Sequence, residues 1–450
     1  MEDKQLELKN ETHLPGPRRS VLMSIITMIR IGLGPYTAMR DLRQRYGDPF
    51  HMWIVGMGDV VGTGRPELIK SIYALQPTKF SLMNTPMLEF FFGPRSLFTS
   101  EGETHQRDKK LVFPHFRGER MRAYGDTMAQ CAIDQCSQHL DGKKVSLMEL
   151  SRNITLEVMM RTQLGLTDEK KIAEIKELLY HLNNCQNPLL GYKFFRNEWG
   201  GFGPWAKFQR YNRPLRAYLI ELIREARARD EKGEDILSLL CETKYEDVTP
   251  LEEEHISDHI FSILIAGYDT TANSITWSLD VFHRHPEALE KIQAEIDSVD
   301  ADAKPDDLTK LPWLDSACYE ILRLYPPIES LPVRQLEEDY QLDDYVIPKG
   351  YGLCPIPALA HRDPELYPEP DRFNPERFIS KKPDRFAFLP FGGGARLCIG
   401  FAFANYQMRV VLGTCLKLFK FELLDPPPKP KRYSITIGPK ENTNAIITKR

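Results

Sequence analysis

The sequence predicts a mainly α-helical protein that carries small β-sheets, and three observations lead to this fold class. Segments between residues 100 and 300 mostly place apolar residues at helical spacing. Short alternating runs, which are typical of strands, lie near both ends of the chain, and Pro-rich turns fill 326–390. We therefore predict a helical body over 100–330 and 399–420 and β-rich parts near 48–65, 335–360 and 430–450.

Charge and composition predict a single domain over residues 1–450. The chain has 450 residues, of which 42% are hydrophobic and 27% charged, and its net charge is −4. These values exclude a disordered chain and argue against a whole-protein nucleic-acid binder. Because no linker, charge block or internal repeat is visible in the sequence, we expect one compact unit and a monomer.

Cysteine usage and the N-terminal region predict a soluble, cytoplasmic protein. The eight cysteines are scattered and form no C-x-x-C pair, which argues against a zinc site or a disulfide framework. The first residues lack the apolar core of a signal peptide. Val21–Ile29 is much shorter than the ~20 apolar residues of a membrane span. We therefore expect a short core or surface helix there and no integral membrane span.

Two hairpins are predicted, one near each end of the chain. The first covers 50–62, where apolar residues flank the turn Gly56–Asp59. The second joins the alternating runs Tyr433–Ile437 and Ala445–Thr448 through the turn-rich stretch Gly438–Asn444. These hairpins account for part of the small sheets that the fold class includes.

A helix of unusual length is predicted over 250–285. Thr249 suits its N-cap, Pro250 its first position, and Glu252 would complete a capping box. Such a helix would be ~54 Å long. Because Phe261–Ala266 is apolar all round, the middle of the helix should be buried.

The centre of this helix has a composition that disfavours a buried helix. Ala266–Thr271 contains Gly267, Asp269 and two threonines. Gly costs ~1 kcal/mol relative to Ala in a helix interior, and a buried, unpaired carboxylate costs more. The segment is either a functional site or a bend in which Thr hydroxyls bond to carbonyls one turn earlier.

A glycine-rich loop, Phe391–Gly400, delivers Cys398 to the start of a helix predicted over Phe401–Leu418. Amide N–H groups and the helix dipole stabilise an anion at that position, so Cys398 is predicted to be a thiolate at neutral pH. Arg396 could pair with an acidic group of a flat ligand that the glycines admit. Alternatives are a nucleophilic cysteine or an inert buried one, whereas the phosphate-loop patterns are absent.

With Phe391, Gly394, Arg396, Cys398 and Gly400, the loop matches F-x-x-G-x-R-x-C-x-G in full. The sequence therefore resembles the cytochrome P450 superfamily of haem-thiolate monooxygenases, in its soluble, prokaryotic-style branch. The resemblance implies the fold of that family, with one long helix crossing haem b (iron protoporphyrin IX). It also implies that Cys398 is the axial iron ligand and that Arg396 contacts a haem propionate.

A second motif, Glu320-Ile321-Leu322-Arg323, lies on a helix predicted to start near Trp313 and to stop at Pro326. Its two charged residues share one helix face, so they should pair. The motif resembles the family's E-x-x-R, and Pro375–Phe378 resembles the segment that supplies Arg377. By this resemblance Glu320, Arg323 and Arg377 are structural residues that hold the haem pocket.

Ala266–Thr271 also matches the family's (A/G)-G-x-(D/E)-T-(T/S). The resemblance implies that Asp269 and Thr270 are catalytic residues above the iron, which deliver protons during dioxygen activation, and that Gly267 makes room for the ligand.

Three further cations resemble the propionate-binding residues of the family, namely His105, Lys109 and Arg334. Lys109 stands where soluble members carry Arg, so it offers a point charge without the bidentate fork. Two other histidines, His255 and His259, lie at i, i+4 on the long helix. The zinc-protease pattern requires Glu where Ile256 stands, so we expect these histidines on solvated early turns.

These features together predict a monooxygenase that inserts one oxygen atom from O2 into a lipophilic small molecule such as a terpenoid, steroid or fatty acid. Electrons would come from an external ferredoxin- or flavodoxin-type donor, because the chain shows no flavin or iron–sulfur segment. A peroxide-driven haem-thiolate oxidase or isomerase and a non-enzymatic haem sensor are the alternatives. A basic run could meet an acidic donor; it contains Arg107, Lys109, Lys110, Arg117, Arg120 and Arg122.

Two aromatic segments are predicted to cover the substrate. The first, 80–98, is rich in Met and Phe, which suits a lipophilic, adaptable substrate. The second, 187–205, holds several Phe and Trp residues and two cations, Lys193 and Arg196, that could meet a fatty carboxylate. A neutral lipophile is favoured.

Overall fold

The structure is a computed structural model that describes residues 14–83, 85–116, 118–185, 190, 193–230, 233–245, 248–300, 303–433, 435–440 and 443–450. The chain divides into two compact units. The first unit comprises 1–83, 329–370 and 384–396, and the second comprises 84–328, 371–383 and 397–450.

Helices account for most of the regular structure in the described residues. In chain order they are α1 (Val21–Leu33), α2 (Pro35–Tyr46), α3 (Pro66–Ala74), α4 (Thr85–Phe92), α5 (Gly102–Val112), α6 (Glu119–Ala123), α7 (Gly125–Ser137), α8 (Leu147–Gln163), α9 (Glu169–Asn184), α10 (Gly203–Ala228), α11 (Ile236–Glu242), α12 (Glu253–Arg284), α13 (Pro286–Asp297), α14 (Pro305–Leu308), α15 (Pro312–Leu324), α16 (Pro357–Ala360) and α17 (Phe401–Leu418). The predicted helix after the cysteine loop has the bounds of α17.

Strands are short and form small sheets. They are β1 (Phe50–Ile54), β2 (Gly58–Thr63), β3 (Phe80–Leu82), β4 (Lys144–Ser146), β5 (Arg334–Leu336), β6 (Tyr340–Leu342), β7 (Tyr345–Ile347), β8 (Gly352–Pro355), β9 (Phe419–Leu423), β10 (Pro430–Tyr433), β11 (Thr436–Pro439) and β12 (Asn444–Lys449). The fold class predicted from the sequence, mainly helical with small sheets, is therefore confirmed.

The first unit is built on a five-stranded sheet in the order β1-β2-β8-β5-β3, beside the β6–β7 pair. Strands β1 and β2 are antiparallel, with Phe50 opposite Gly62, so the hairpin predicted over 50–62 is present. Helix α1 exposes apolar side chains, among them Leu22 and Leu33. Among the described residues, no helix combines the length and the hydropathy that a membrane crossing requires.

The predicted terminal hairpin is wrong. Strand β12 pairs with β9 on one side and with β4 on the other, whereas β10 pairs with β11. Ala445 and Ile447 of β12 are fully buried, which favours a central position in a three-stranded sheet. Strand β12 therefore pairs with two strands that are distant in sequence and not with the nearest one. The alternation of apolar and polar residues within a strand does not reveal its partner.

Helix α12 starts three residues later than predicted, at Glu253, with Glu252 as an N-cap that accepts no side-chain bond. Thr249 and Pro250 are therefore wrong as its cap and first residue. They lie in a turn, because the Thr249 carbonyl accepts a hydrogen bond from the Tyr245 N–H at 2.8 Å. Packing against the body of the second unit, and not a cap, stabilises this helix.

Candidate functional site

Cys398 differs in exposure from the other cysteines. All eight are free, and Cys398 is the exposed one, whereas Cys241 is half-buried and the remaining six are buried. A short 3-10 turn, Gly394–Arg396, precedes it, and Gly400 caps α17 directly after it. Gly394 has φ +63°, a left-handed conformation that glycine adopts without strain. The loop thus presents the sulfur where a ligand could reach it.

The protein alone does not favour the thiolate predicted for Cys398. The protein around the thiol desolvates it and raises its pKa, and the Gly400 N–H and the charge of Lys109 offset this only in part. The helix N-terminus alone therefore does not make a thiolate here. A thiol of this kind loses its proton when it coordinates a metal ion.

Helix α12 carries a half-exposed stripe in an otherwise buried stretch. Ile263, Ala266, Gly267 and Thr270 are half-buried, whereas their neighbours, such as Tyr268 and Asp269, are buried. The spacing i, i+3, i+4, i+7 places the four residues on one helix face. The described residues of the second unit therefore leave this face of α12 partly accessible.

Gly267 lies near α8. A Cβ at this residue would lie 2.9 Å from the Cε atom of Met159, which belongs to α8. Because Cε ends a flexible side chain, a small movement of Met159 would relieve this contact. That Gly267 makes room for a ligand stays a prediction.

Asp269 and Thr270 are adjacent but have different partners. The Thr270 hydroxyl donates to the Ala266 carbonyl at 2.7 Å, the local bond anticipated for a helical Thr. Asp269 is 4% exposed, and Arg152 donates to its Oδ1 at 3.0 Å. The Thr436 hydroxyl donates to its Oδ2 at 2.6 Å. The sequence analysis missed Arg152 and Thr436, because both are distant in sequence and belong to no motif.

The structure brings Glu320, Arg323 and Arg377 together. Arg323 donates from Nε to Glu320 Oε2 and from Nη2 to Oε1, both at 2.7 Å, and neither side chain is exposed. Arg377 Nε lies 3.3 Å from Oε1, which also accepts the Asn374 N–H at 3.0 Å. This triad is a closed ionic network inside the second unit.

Arg334 is a buried cation of the first unit, 2% exposed. Its guanidinium donates to the carbonyls of Ile72, at 2.5 Å, and Gly393, at 3.2 Å. The Cζ atom of Arg334 also lies 4.7 Å from the ring centroid of Tyr73 and 4.8 Å from that of Phe80. Within the described residues no carboxylate forms an ion pair with it, and burial lowers its pKa to about 10. Such a group is poised to receive an anion from outside the chain.

The other predicted cofactor residues lie at the loop and on α5. His105 is buried, and Lys109 donates from Nζ to the carbonyl of Leu397, next to Cys398, at 3.4 Å. Phe391 and Arg396 are half-buried. Lys109 therefore contributes positive charge near the sulfur.

His255 and His259 are not solvated, contrary to the sequence prediction. They are 8% and 1% exposed, since the early turns of α12 are packed into the second unit. Burial lowers the pKa of His259 to about 3, so this imidazole is neutral at physiological pH. The prediction failed because early turns of a long helix are often exposed, and sequence spacing does not show what packs over them.

The first aromatic segment forms a connected cluster with α10. Phe90 and Phe91 each contact Phe208 edge-on or tilted at 5.9 and 5.8 Å, and Phe91 contacts Phe261 of α12 at 6.3 Å. Trp205 stacks on Phe208 at 5.5 Å. Of the second segment, residues 187–189, 191 and 192 and the side chains of Lys193 and Trp199 lie outside the described residues.

A profile of the family described as Cytochrome P450 matches residues 14–444 of the chain. The chain belongs to the cytochrome P450 family. It is 28% identical over 410 residues to cytochrome P450 138 of Mycobacterium tuberculosis (strain ATCC 25618 / H37Rv), with 90% of each chain covered. It is 30% identical over 407 residues to cytochrome P450 135B1 of the same strain, covering 90% of this chain and 84% of the relative.

Two solved structures share the fold of this cytochrome P450. One is described as retinoic acid bound cyanobacterial CYP120A1, with a TM-score of 0.82, 23% identity, and 91% and 94% of the chains covered. The other is the cytochrome P450DA heme domain, with a TM-score of 0.84, 22% identity, and 97% and 98% covered. The family relationship makes this chain a haem-thiolate monooxygenase with haem as its cofactor.

The chain's own residues fit a haem. In the second unit, the exposed sulfur of Cys398 is a donor of the kind that iron accepts, and the half-exposed stripe of α12 leaves one helix face accessible. In the first unit, Arg334 is buried and forms no ion pair within the described residues, so its charge suits a propionate. Each of these features has the chemistry that a haem requires.

Proposed function

We propose that this cytochrome P450 inserts one oxygen atom from O2 into a neutral, lipophilic small molecule such as a terpenoid, steroid or fatty-acid derivative. The half-exposed stripe of α12 carries this proposal, because it leaves Thr270 accessible on the same helix face as the apolar residues Ile263 and Ala266. A sensor that only binds haem has no use for a hydroxyl there. A peroxide-driven enzyme does not need an adjacent acid and alcohol such as Asp269 and Thr270.

Cys398 is the proposed iron ligand in this mechanism. When haem is bound, its propionates would be neutralised by Arg396, His105, Lys109 and Arg334. The loop would owe its shape to Phe391, Gly394 and Gly400. A thiolate-ligated haem supplies the activation of dioxygen when it is bound. Glu320, Arg323 and Arg377 hold the fold around the site without touching the reacting atoms.

Thr270 and Asp269 supply the protons. The Thr270 hydroxyl leaves the Ala266 carbonyl and donates toward the accessible face of α12, which needs only a rotation about χ1. Asp269 then delivers a proton from the bulk side through water, once its Oδ2 exchanges the Thr436 hydroxyl for a water molecule. Arg152 pairs with this carboxylate at 3.0 Å and limits how far it moves.

The aromatic cluster around Phe91 supports the lipophilic substrate class. Phe90, Phe91, Phe208 and Phe261 form a connected cluster of rings. Two cations border this cluster: Arg196 lies over the Phe90 ring at 5.0 Å, and Arg216 lies over the Phe261 ring at 4.2 Å. The charge of Arg216 is balanced by Asp258, with which it forms an ion pair at 2.6 Å. We therefore favour a neutral substrate over a carboxylate.

The electron donor is proposed to be an external ferredoxin- or flavodoxin-type protein, and the enzyme to act as a soluble, cytoplasmic monomer. Lys110 and Arg122 are exposed, and Arg107 exposes 49% of its side chain, which supports an acidic partner on this side of the second unit. Arg117 and the side chain of Arg120 lie outside the described residues.

A library of lipophilic compounds, screened for the low- to high-spin shift of the ferric haem, identifies the substrate. Turnover is then measured under 18O2 with a ferredoxin and its reductase, and separately with hydrogen peroxide. We expect label in the product only with the donor system. Faster, unlabelled turnover with peroxide would support the peroxide-driven alternative, and binding without turnover in either case would support a sensor.

The role of Thr270 is tested by Thr270→Ala. Product formed per electron consumed should fall about 100-fold, with hydrogen peroxide released in its place, because a positioned proton donor is lost. Thr276→Ala is the matched control, since its hydroxyl makes the same bond to a carbonyl one turn earlier, at 2.8 Å, but is fully buried. Normal coupling in Thr270→Ala would remove Thr270 from the mechanism.

A further inference from the structure

Three buried side chains of the second unit form a group outside the residues assigned above. Asp108 lies on α5, and His255 and His259 lie one turn apart on α12. One carboxylate oxygen and one nitrogen from each ring lie within 4.8 Å of one another. Asp108 and His259 are each 1% exposed and His255 is 8% exposed. A carboxylate and two imidazoles thus face one small volume that is closed to bulk solvent.

Hydrogen bonds orient two of these side chains. The Nδ1 of His255 is paired with the Tyr245 hydroxyl at 2.9 Å, and its Nε2 with Asp108 Oδ2 at 3.0 Å. The Arg107 Nε donates to the other carboxylate oxygen, Oδ1, at 3.2 Å. Asp108 Oδ2 and His255 Nε2 are therefore held pointing at each other by partners behind them.

His259 lacks such partners. Within the described residues neither of its ring nitrogens has a hydrogen-bond partner, although the residue is almost fully buried. Its ring centroid lies 4.7 Å from that of His255. A buried imidazole of this kind is costly unless some group outside the chain satisfies it.

We propose that Asp108, His255 and His259 bind a divalent transition metal of the zinc class. Two imidazole nitrogens and one carboxylate oxygen form a donor set that such an ion accepts, with water as the fourth ligand. Donor atoms around tetrahedral zinc lie about 3.3 Å apart, so the group closes on the ion by a small rotation of the His259 ring. The hydroxyl of Tyr245 behind His255 is the kind of outer partner that fixes the ring and its tautomer.

The ion would tie α5 to α12. Helix α5 also carries His105 and Lys109, and α12 carries Asp269 and Thr270. Because the ion would cross-link two helices of the second unit, we expect its first effect to be on stability. Tyr245, which bonds to His255, is half-buried, so the group lies close to the protein surface.

The test uses the full-length, tag-free protein with its haem, stripped of loose metal with EDTA. Zinc chloride is titrated against a chromophoric chelator, with magnesium chloride in a parallel titration. We expect about one zinc ion per chain, no competition from magnesium, and a melting temperature that rises with zinc. X-ray absorption at the zinc edge should show a nitrogen and oxygen shell at ~2.0–2.1 Å with imidazole scattering.

Variants assign the ion to these residues. His255→Gln and His259→Gln should each weaken zinc binding by at least about 100-fold, and Tyr245→Phe by about 10- to 100-fold. His283→Gln, which removes a half-buried imidazole farther along the same helix, should bind zinc as the wild type does. Asp108→Asn, nearly isosteric, serves if a histidine variant does not fold. Absence of zinc from the wild type, or wild-type affinity in the ligand variants, would overturn the proposal.

Discussion

Arg323 and Arg334 are both buried arginines, but among the described residues only Arg323 has an acidic partner. Arg323 is fully buried and makes two charged hydrogen bonds with Glu320. Arg334 is 2% exposed and donates to the carbonyls of Ile72 and Gly393. Arg323 lies in the second unit and Arg334 in the first. The surroundings of each arginine are therefore set by the packing of its own unit.

The difference separates charges that serve the fold from charges that serve a ligand. A buried cation whose anion comes from the same chain is complete when folding ends, and removing either partner leaves the other uncompensated. A buried cation without an anion costs stability until a ligand supplies the missing charge. The lowered pKa of Arg334 is the electrostatic sign of that cost.

The strongest test removes the acid of the closed network. Glu320→Ala leaves Arg323 buried without a counter-charge, and we expect it to reduce the free energy of unfolding by about 3–5 kcal/mol. Urea denaturation followed by circular dichroism measures this. The matched control is Glu376→Ala, whose carboxylate is 61% exposed and pairs with Lys291, and which should cost less than about 1 kcal/mol. Equal losses in the two variants would show that the triad is not special.

The second test removes the open cation. Arg334→Met should accelerate haem transfer to apomyoglobin by about 10- to 100-fold, because a charge-assisted bond to an anion is worth about 1.5–3 kcal/mol. The unfolding free energy of the haem-free protein should change much less than in Glu320→Ala. Removing the buried charge of Arg334 ends its desolvation cost, and this gain offsets the loss of its hydrogen bonds. Arg334→Lys keeps the charge, so its rate of haem transfer should lie between the rates of Arg334→Met and the wild type. Haem release at the wild-type rate would mean that Arg334 meets no ligand anion.

The sequence predicted best what depends on neighbouring residues. Helix α17 has the predicted bounds, and α15 begins one residue from the predicted Trp313. The Cys398 loop was found from the spacing of five residues, and the structure places the cysteine where a ligand can reach it. Local spacing carries this information because turns, caps and helix faces involve residues a few positions apart.

What failed depends on partners far along the chain. The pairing of β12 with β9 and β4, the burial of His259 and the raised pKa of Cys398 all follow from packing that the sequence pattern does not contain. Asp269 illustrates the same limit, because its motif is local but its partner Arg152 lies on another helix. Single motifs thus located the site, whereas its electrostatics required the structure.

The smallest expected effect concerns Lys109, which differs from both arginines because it is only half-buried. Its Nζ already bonds to the Leu397 carbonyl, and water screens part of its charge. Lys109→Ala should therefore raise the rate of haem release by only about 2- to 5-fold, as for a partly exposed ion pair. Lys109→Arg should slow release slightly, since the fork adds a second bond to an anion. A loss as large as that of Arg334→Met would show that burial does not rank these cations, and the comparison would fail.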